Sequence, residues 1–193
     1  RLAEVLARRG EFEEAEDLAR RSLAILRSAA PGSIEAANHA YWLATVLQQK
    51  GDGAQAEAAY TEALDLYTNL FDPDHPNRLT CANNLGLTLV SNGKLDEAEA
   101  LLVDVAERWR RLFGPDSAEL ATTLHNLAGV YDARGELAEA EQIYDEVIAI
   151  LTPIPAERGQ LATVLKGLAA LLRRQGESER AAELEQRAAA LGR

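Results

Sequence analysis

Methionine is absent from the 193 residues, position 1 included, and there is a single cysteine, Cys81. One thiol excludes an intrachain disulfide framework and suits a reducing, cytoplasmic compartment. Cys81 falls inside a helical pattern, where a buried structural thiol is the expected role. Aromatic residues make up only 5% and prolines number six, so the 47% apolar content rests on Ala and Leu. Both are strong helix formers. No apolar run approaches the ~18 consecutive residues of a membrane span, and no stretch has the pattern of a signal peptide. Basic residues are in deficit, 20 against 31 acidic, for a net charge of −11. That argues against nucleic acid, whose phosphates need clustered Lys and Arg. The acids gather in Glu-rich segments such as Glu13, Glu14 and Glu16 and read as a solvated face or as an acidic binding patch. Lysines number three and arginines 17, a bias of GC-rich, bacterial coding.

Catalytic and metal-binding patterns are also missing. His39, His75 and His125 show no ligand spacing with one another or with Cys81. There is no glycine-rich phosphate loop and no serine nucleophile elbow. Paired glutamates on helices read as solvated faces rather than an acid/base pair. We therefore expect no enzyme, no cofactor and no metal.

What is present is a repeat. Gly10, Gly51, Gly93, Gly135 and Gly176 follow one another at steps of 41, 42, 42 and 41 residues. Five positions after each stands an alanine (Ala15, Ala56, Ala98, Ala140, Ala181), and eight before each stands a leucine (Leu2, Leu43, Leu85, Leu127, Leu168). Self-similarity at this period marks stacked supersecondary units, whose working surface is a long face. Each unit reads as helix, tight turn, helix, loop. In the fourth, Asp116 or Ser117 can cap the first helix. Leu120, Leu124, Leu127 and Tyr131 then share one face, and Gly135 supplies the positive φ of the stop. The connectors Pro31-Gly32-Ser33, Asp72-Pro73-Asp74-His75-Pro76, Gly114-Pro115-Asp116 and Thr152-Pro153-Ile154-Pro155 break helices between units. His75 is expected to be a loop or cap residue.

The spacing predicts ten helices, near 1–9, 11–29, 33–50, 53–71, 76–92, 94–113, 116–134, 136–151, 156–175 and 177–191. They make one array, 1–193, of five units at about 1–30, 31–72, 73–114, 115–154 and 155–193, the first truncated. The recurring alanine faces the partner helix of its own hairpin, where a methyl permits close approach. The chain opens in mid-pattern at Leu2-Ala3, which suggests a fragment whose cut edge could pair into a homodimer. Ser178 and Glu185 put polar residues where other units are apolar, as at a native C-terminal end.

The pattern resembles the tetratricopeptide repeat, and its ~42-residue period resembles the kinesin-light-chain type. Leu124-His125-Asn126-Leu127-Ala128 and Ala82-Asn83-Asn84-Leu85-Gly86 are similar to that type's Leu-Asn-Asn-Leu-Ala run. Phe71-Asp72-Pro73-Asp74-His75-Pro76 and Phe113-Gly114-Pro115-Asp116-Ser117 are similar to its Gly-Pro-Asp-His-Pro connector. The resemblance implies an all-α fold, a right-handed α-solenoid of helical hairpins, whose first helices line a concave groove for a peptide or helix. Carried over position by position, the lining comprises Asn38, Tyr41, Trp42, Thr45 and Gln48 from the second unit. The third gives Thr80, Asn83, Asn84 and Leu87, the fourth Thr122, His125, Asn126, Gly129 and Asp132, and the fifth Thr163, Lys166, Ala170 and Arg173.

Asparagine is a poor mid-helix residue, yet Asn83, Asn84 and Asn126 fall mid-helix beside the leucine stripe. An amide offers donor and acceptor together. These side chains can read a peptide backbone in the groove, tie one repeat to the next, or do both. Tyr41-Trp42 replaces the paired asparagines in the second unit, either as an aromatic shelf or as core. Lys166-Gly167 replaces them in the fifth. The expected function is a non-catalytic protein-interaction scaffold with a protein or peptide ligand, and no nucleic-acid or membrane partner. A regulatory module within a larger kinase- or nucleotide-binding protein, and a self-assembly element, are the alternatives.

Overall fold

The structure, a computed structural model, describes residues 5–7 and 9–192. These are all-α apart from turns, and they fall into two compact units, residues 1–94 and 95–193. The N-terminal unit holds α1 (Phe12–Ala29), α2 (Ile34–Lys50), α3 (Gly53–Leu70) and α4 (Pro76–Ser91). The C-terminal unit holds α5 (Leu95–Phe113), α6 (Ala118–Arg134), α7 (Leu137–Leu151), α8 (Arg158–Gln175) and α9 (Ser178–Leu191). The expected first helix over 1–9 lies partly outside the described residues; of those described, 5–7 are helical.

Sequence punctuation accounts for the boundaries. Gly51, Gly135 and Gly176 adopt the left-handed conformation directly after α2, α6 and α8, with φ of 90°, 80° and 87°. A side chain there would meet its own backbone, and glycine avoids that cost. The residue after each glycine then donates its N–H back to the last turn: Asp52 to Leu47 O, Glu136 to Tyr131 O and Glu177 to Leu172 O, each at 2.9 Å. This is the Schellman closure. Helix starts are capped by side chains where the connector supplies one. Ser33 Oγ accepts from Ala36 N–H at 3.1 Å and Ser117 Oγ from Leu120 N–H at 3.3 Å. His75 Nδ1 accepts from Asn77 N–H at 3.2 Å, so His75 is a cap. The expected helix over 156–175 begins later, at Arg158, because Pro155–Glu157 winds a 3-10 turn first.

Within the N-terminal unit, α2 and α3 form a hairpin, α1 packs on α2 and α3 on α4. Within the C-terminal unit, α6–α7 and α8–α9 are hairpins, with α5 on α6 and α7 on α8. Ala15, Ala56, Ala98, Ala140 and Ala181 are all fully buried. Their methyls hold helix axes at the short separations that larger side chains forbid. Leucines fill the rest: Leu23, Leu43, Leu47 and Leu79 in one unit, and Leu102, Leu120, Leu165 and Leu172 in the other.

A latch recurs at the turn ends. At three turns the residue before the glycine reaches back to a glutamate of the preceding repeat. Lys50 Nζ donates to Glu16 at 2.8 Å, Asn92 Nδ2 to Glu57 at 2.8 Å, and Arg134 Nη1 to Glu99 at 2.5 Å. Lys94 adds a second donor to Glu57 at 2.6 Å and the Tyr131 hydroxyl one to Glu99 at 2.7 Å; the Lys94 bond, then Asn92, holds the Glu57 carboxyl below its ordinary range, and the Tyr131 bond, then Arg134, does so for Glu99.

Candidate functional site

Asn38, Tyr41 and Trp42 stand on α2 and Thr80 on α4, and the fold brings these four together. With Tyr67 from the end of α3 and Asn77 from the first turn of α4 they line an open pocket of about 280 Å³. Trp42 is 37% exposed, so it presents an aromatic surface to solvent rather than joining the core. Tyr41 is half-buried and meets Trp42 and Tyr60 edge-on, at ring centroid distances of 6.5 and 5.7 Å. Tyr67 donates its hydroxyl to Asn38 Oδ1 at 2.6 Å. That bond fixes the Asn38 amide and leaves its two N–H donors for another acceptor. Tyr67 and Asn77 were not among the expected lining residues. Tyr67 belongs to a second helix, and the signal that could have found it is a tyrosine near a helix end facing an asparagine of the preceding first helix.

The asparagines of α4 have a different task. Asn84 donates from Nδ2 to Tyr41 Oη at 2.8 Å, across 43 positions of sequence, and Asn83 Nδ2 donates to Asn84 Oδ1 at 3.3 Å. Both amides join a tie between repeats. Tyr60 extends it: its hydroxyl donates to Gln48 Oε1 at 3.1 Å and lies 3.2 Å from Thr45 Oγ1. Gln48 Nε2 donates to Thr88 Oγ1 at 3.2 Å, and Thr88 Oγ1 donates to Asn84 O at 2.9 Å. Thr45 also donates to Tyr41 O at 3.0 Å. Burial pushes the Tyr60 and Tyr67 phenols up to about 12 and raises Tyr41, so all three stay neutral donors. Cys81, fully buried behind them with its thiol pushed up to about 12 by burial, is an unreactive core residue. Leu87 is 38% exposed on the same helix.

In the C-terminal unit, Thr122 accepts from Gln160 Nε2 at 2.8 Å, tying α6 to α8. His125 meets Tyr144 edge-on at 5.7 Å, and burial lowers its pKa. Its buried Nδ1 has no hydrogen-bond partner among the described residues. Asn126 is 8% exposed. Lys166 and Arg173 are exposed on α8, and Arg173 grips Glu185 of α9 with two bonds of 2.9 and 2.8 Å. The positive charge of Arg173 is thus largely met within its own hairpin. Among the described residues no group of three or more His, Cys, Asp and Glu could hold a metal ion. No helix among them is long and apolar enough to cross a membrane.

These hairpins have counterparts. Family models of the tetratricopeptide repeat match residues 1–31, 33–107 and 82–152. No curated protein matches the chain in sequence. BtubC (BKLC) from P. vanneervenii superposes with a TM-score of 0.81 at 22% identity, over 98% of this chain and 76% of that one. A protein from Podosopora anserina with nearly identical TPR-like repeats, described as a kinesin light chain, gives 0.79 at 23% identity, over 99% and 92%. A Rap protein complexed with competence and sporulation factor gives 0.81 at 19% identity, over 98% of this chain and 52% of its own length. The chain therefore spans about half of that last relative. With matched residues covering most of the sequence and the helical hairpins of α-solenoid proteins throughout, the chain belongs to the tetratricopeptide repeat family, whose members generally serve as non-catalytic mediators of protein–protein interaction.

Proposed function

We propose that this chain is a non-catalytic interaction module that holds an extended peptide against the first helices of its repeats. The carrying observation is the pocket of Asn38, Tyr41, Trp42, Tyr67, Asn77 and Thr80. It combines an exposed indole, which can seat an apolar side chain, with amide donors oriented for a main-chain carbonyl. That pairing of aromatic anchor and oriented amide suits a peptide better than a small metabolite, which would be enclosed on more sides. The Rap relatives support the reading, since one is described in complex with competence and sporulation factor and another with the Phr* peptide. Leu87 continues the face on α4. Thr122, His125, Asn126, Lys166 and Arg173 are the proposed contacts of the C-terminal unit.

Trp42 makes the test direct. The other tryptophan, Trp109, is 3% exposed, so in a Trp109→Phe background the emission reports on Trp42 alone. Peptides selected from a display library should shift that emission on binding. Read by anisotropy of the same peptides carrying a fluorescein label, Trp42→Ala should weaken them at least about tenfold, the loss expected when an aromatic anchor is removed, and Asn38→Ala should weaken them by several-fold. Selected peptides that bind Trp42→Ala and Asn38→Ala as tightly as the parent would refute this reading.

A further inference from the structure

A second pocket, of about 400 Å³, opens on the opposite side of α2, between the second helices α1 and α3. Its floor is Leu23, Leu43 and Leu47, which are at most 7% exposed. The hole has a cause in sequence. Seven and eight residues past their turn glycines, α7 carries Gln142-Ile143 and α9 carries Glu183-Leu184. At the same register α3 carries Ala58-Ala59, both lining the pocket. The first, third, fourth and fifth repeats all place a large aliphatic residue at the second of these positions (Leu18, Leu101, Ile143, Leu184); only the second has alanine. An aliphatic side chain that the repeat normally supplies itself is missing here, and the leucines beneath are left open.

The rim is charged, and its outward charge is positive. Arg20 binds Glu16 and donates a second N–H to Gln55, but the Arg20 side chain is 47% exposed and that of Glu16 only 10%. Arg27 donates Nε to Glu62 Oε1 at 2.7 Å and Nη2 to Glu62 Oε2, with the arginine side chain 56% exposed and the glutamate 31%. Each guanidinium thus faces solvent more than the carboxylate it holds, and Gln55 between them is neutral. The Arg27–Glu62 pair is framework, since Arg110 and Glu146 repeat it at 3.0 Å in the C-terminal unit. The second guanidinium is particular to this pocket: the matching position to Arg20 is Thr61, Val103, Asp145 and Gln186 in the other repeats. On a chain of net charge −11 such a site selects an acidic partner.

We infer that this outer pocket is a second binding site, for an acidic segment of a partner protein that inserts one leucine-sized side chain over Leu23, Leu43 and Leu47 and sets flanking carboxylates on Arg20 and Arg27. The insertion replaces the side chain that Ala59 lacks. The flanking carboxylates add charge-assisted bonds to the outward N–H groups that Glu16, Gln55 and Glu62 leave on the two guanidiniums.

The probe is a fluorescein-labelled Glu-Asp-Glu-Leu-Asp-Glu peptide, with its central Leu→Ala analogue and an all-Gln analogue of the acids. Titration is read by anisotropy and by methyl NMR. The expected result is shifts of the Leu23, Leu43 and Leu47 methyls, and at least about tenfold weaker binding of the Leu→Ala peptide, the scale of one buried leucine side chain. Ala59→Leu restores the residue of the other repeats, so it should keep the parent melting temperature and lose the peptide. Ala58→Gln, copying α7, is the second variant and should do the same. Trp42→Ala should bind the probe like the parent, which separates this site from the peptide face proposed above. Unshifted methyls, equal binding by Ala59→Leu or Ala58→Gln, or equal binding of the all-Gln peptide would overturn the assignment. So would methyl shifts that track protein concentration without peptide, which would mean that a second copy of the chain fills the pocket.

Discussion

The seam between α2–α3 and α4 and the seam between α6–α7 and α8 occupy the same register, but different chemistry fills them. In the first, Tyr60 is fully buried with its hydroxyl held between Gln48 and Thr45, and Asn84 bridges to Tyr41. In the second, Tyr144 takes the place of Tyr60, Gly167 the place of Asn84, and His125 packs against the tyrosine ring. A Cβ on Gly167 would lie 3.1 Å from Tyr144 Oη and 3.3 Å from the ring. One seam is a hydrogen-bonded chain, and the other is a steric fit with a histidine beside it. The same helical frame is therefore locked by polar satisfaction in one place and by the absence of a side chain in another.

The largest effect should come from forcing the second seam to imitate the first. Gly167→Asn must push Tyr144 aside by a few tenths of an ångström, and we expect a loss of about 1–3 kcal/mol, typical of overpacking, read by chemical denaturation. An unchanged midpoint would mean that the two seams are interchangeable after all. Next in size is the paired loss of phenol hydroxyls. Tyr60→Phe leaves the part-buried Gln48 Oε1 without its donor and should cost about 1–2 kcal/mol, the penalty of a polar group that loses its partner. Tyr144→Phe removes a hydroxyl that holds no such chain and should cost under about 0.5 kcal/mol by the same reasoning. Equal losses would erase the distinction.

The smallest expected effect concerns acid. Burial lowers the pKa of His125 from 6.5, so the unfolded chain binds a proton more readily there than the folded one. Stability from the neutral ring is complete above pH 6.5 and falls as the pH drops from there toward the depressed folded value. His125→Gln should flatten that portion of the stability profile between pH 7 and 5, measured as the difference in melting temperature from the parent. Two parallel profiles would show that His125 is not the group responsible.

Much of the fold was readable in the sequence because its determinants are local. The glycine after α6 and the cap at Ser117 act within a few residues of themselves, and the buried alanines report on the helix next to them in the chain. The candidate site was readable only in part. Asn38, Tyr41, Trp42 and Thr80 come from positions the repeat pattern points to, and they do share a pocket. That Asn84 is spent on Tyr41 could not be read, because the partner lies 43 residues away and on another repeat. Nor could the pairing of Arg173 with Glu185 be read, since charge pairing across a hairpin depends on side-chain reach rather than on period. The outer pocket needed both kinds of information: the alanine pair is visible in sequence, but the leucine floor beneath it is visible only in three dimensions.

The backward reach of the turn-end latches gives the chain a direction in time. Glu16 precedes Lys50 by 34 residues, Glu57 precedes Asn92 by 35, and Glu99 precedes Arg134 by 35. Synthesis runs from the amino end, so each receiving carboxylate leaves the ribosome before the donor that will bind it. At these three latches the later repeat meets an earlier one already carrying its acceptor.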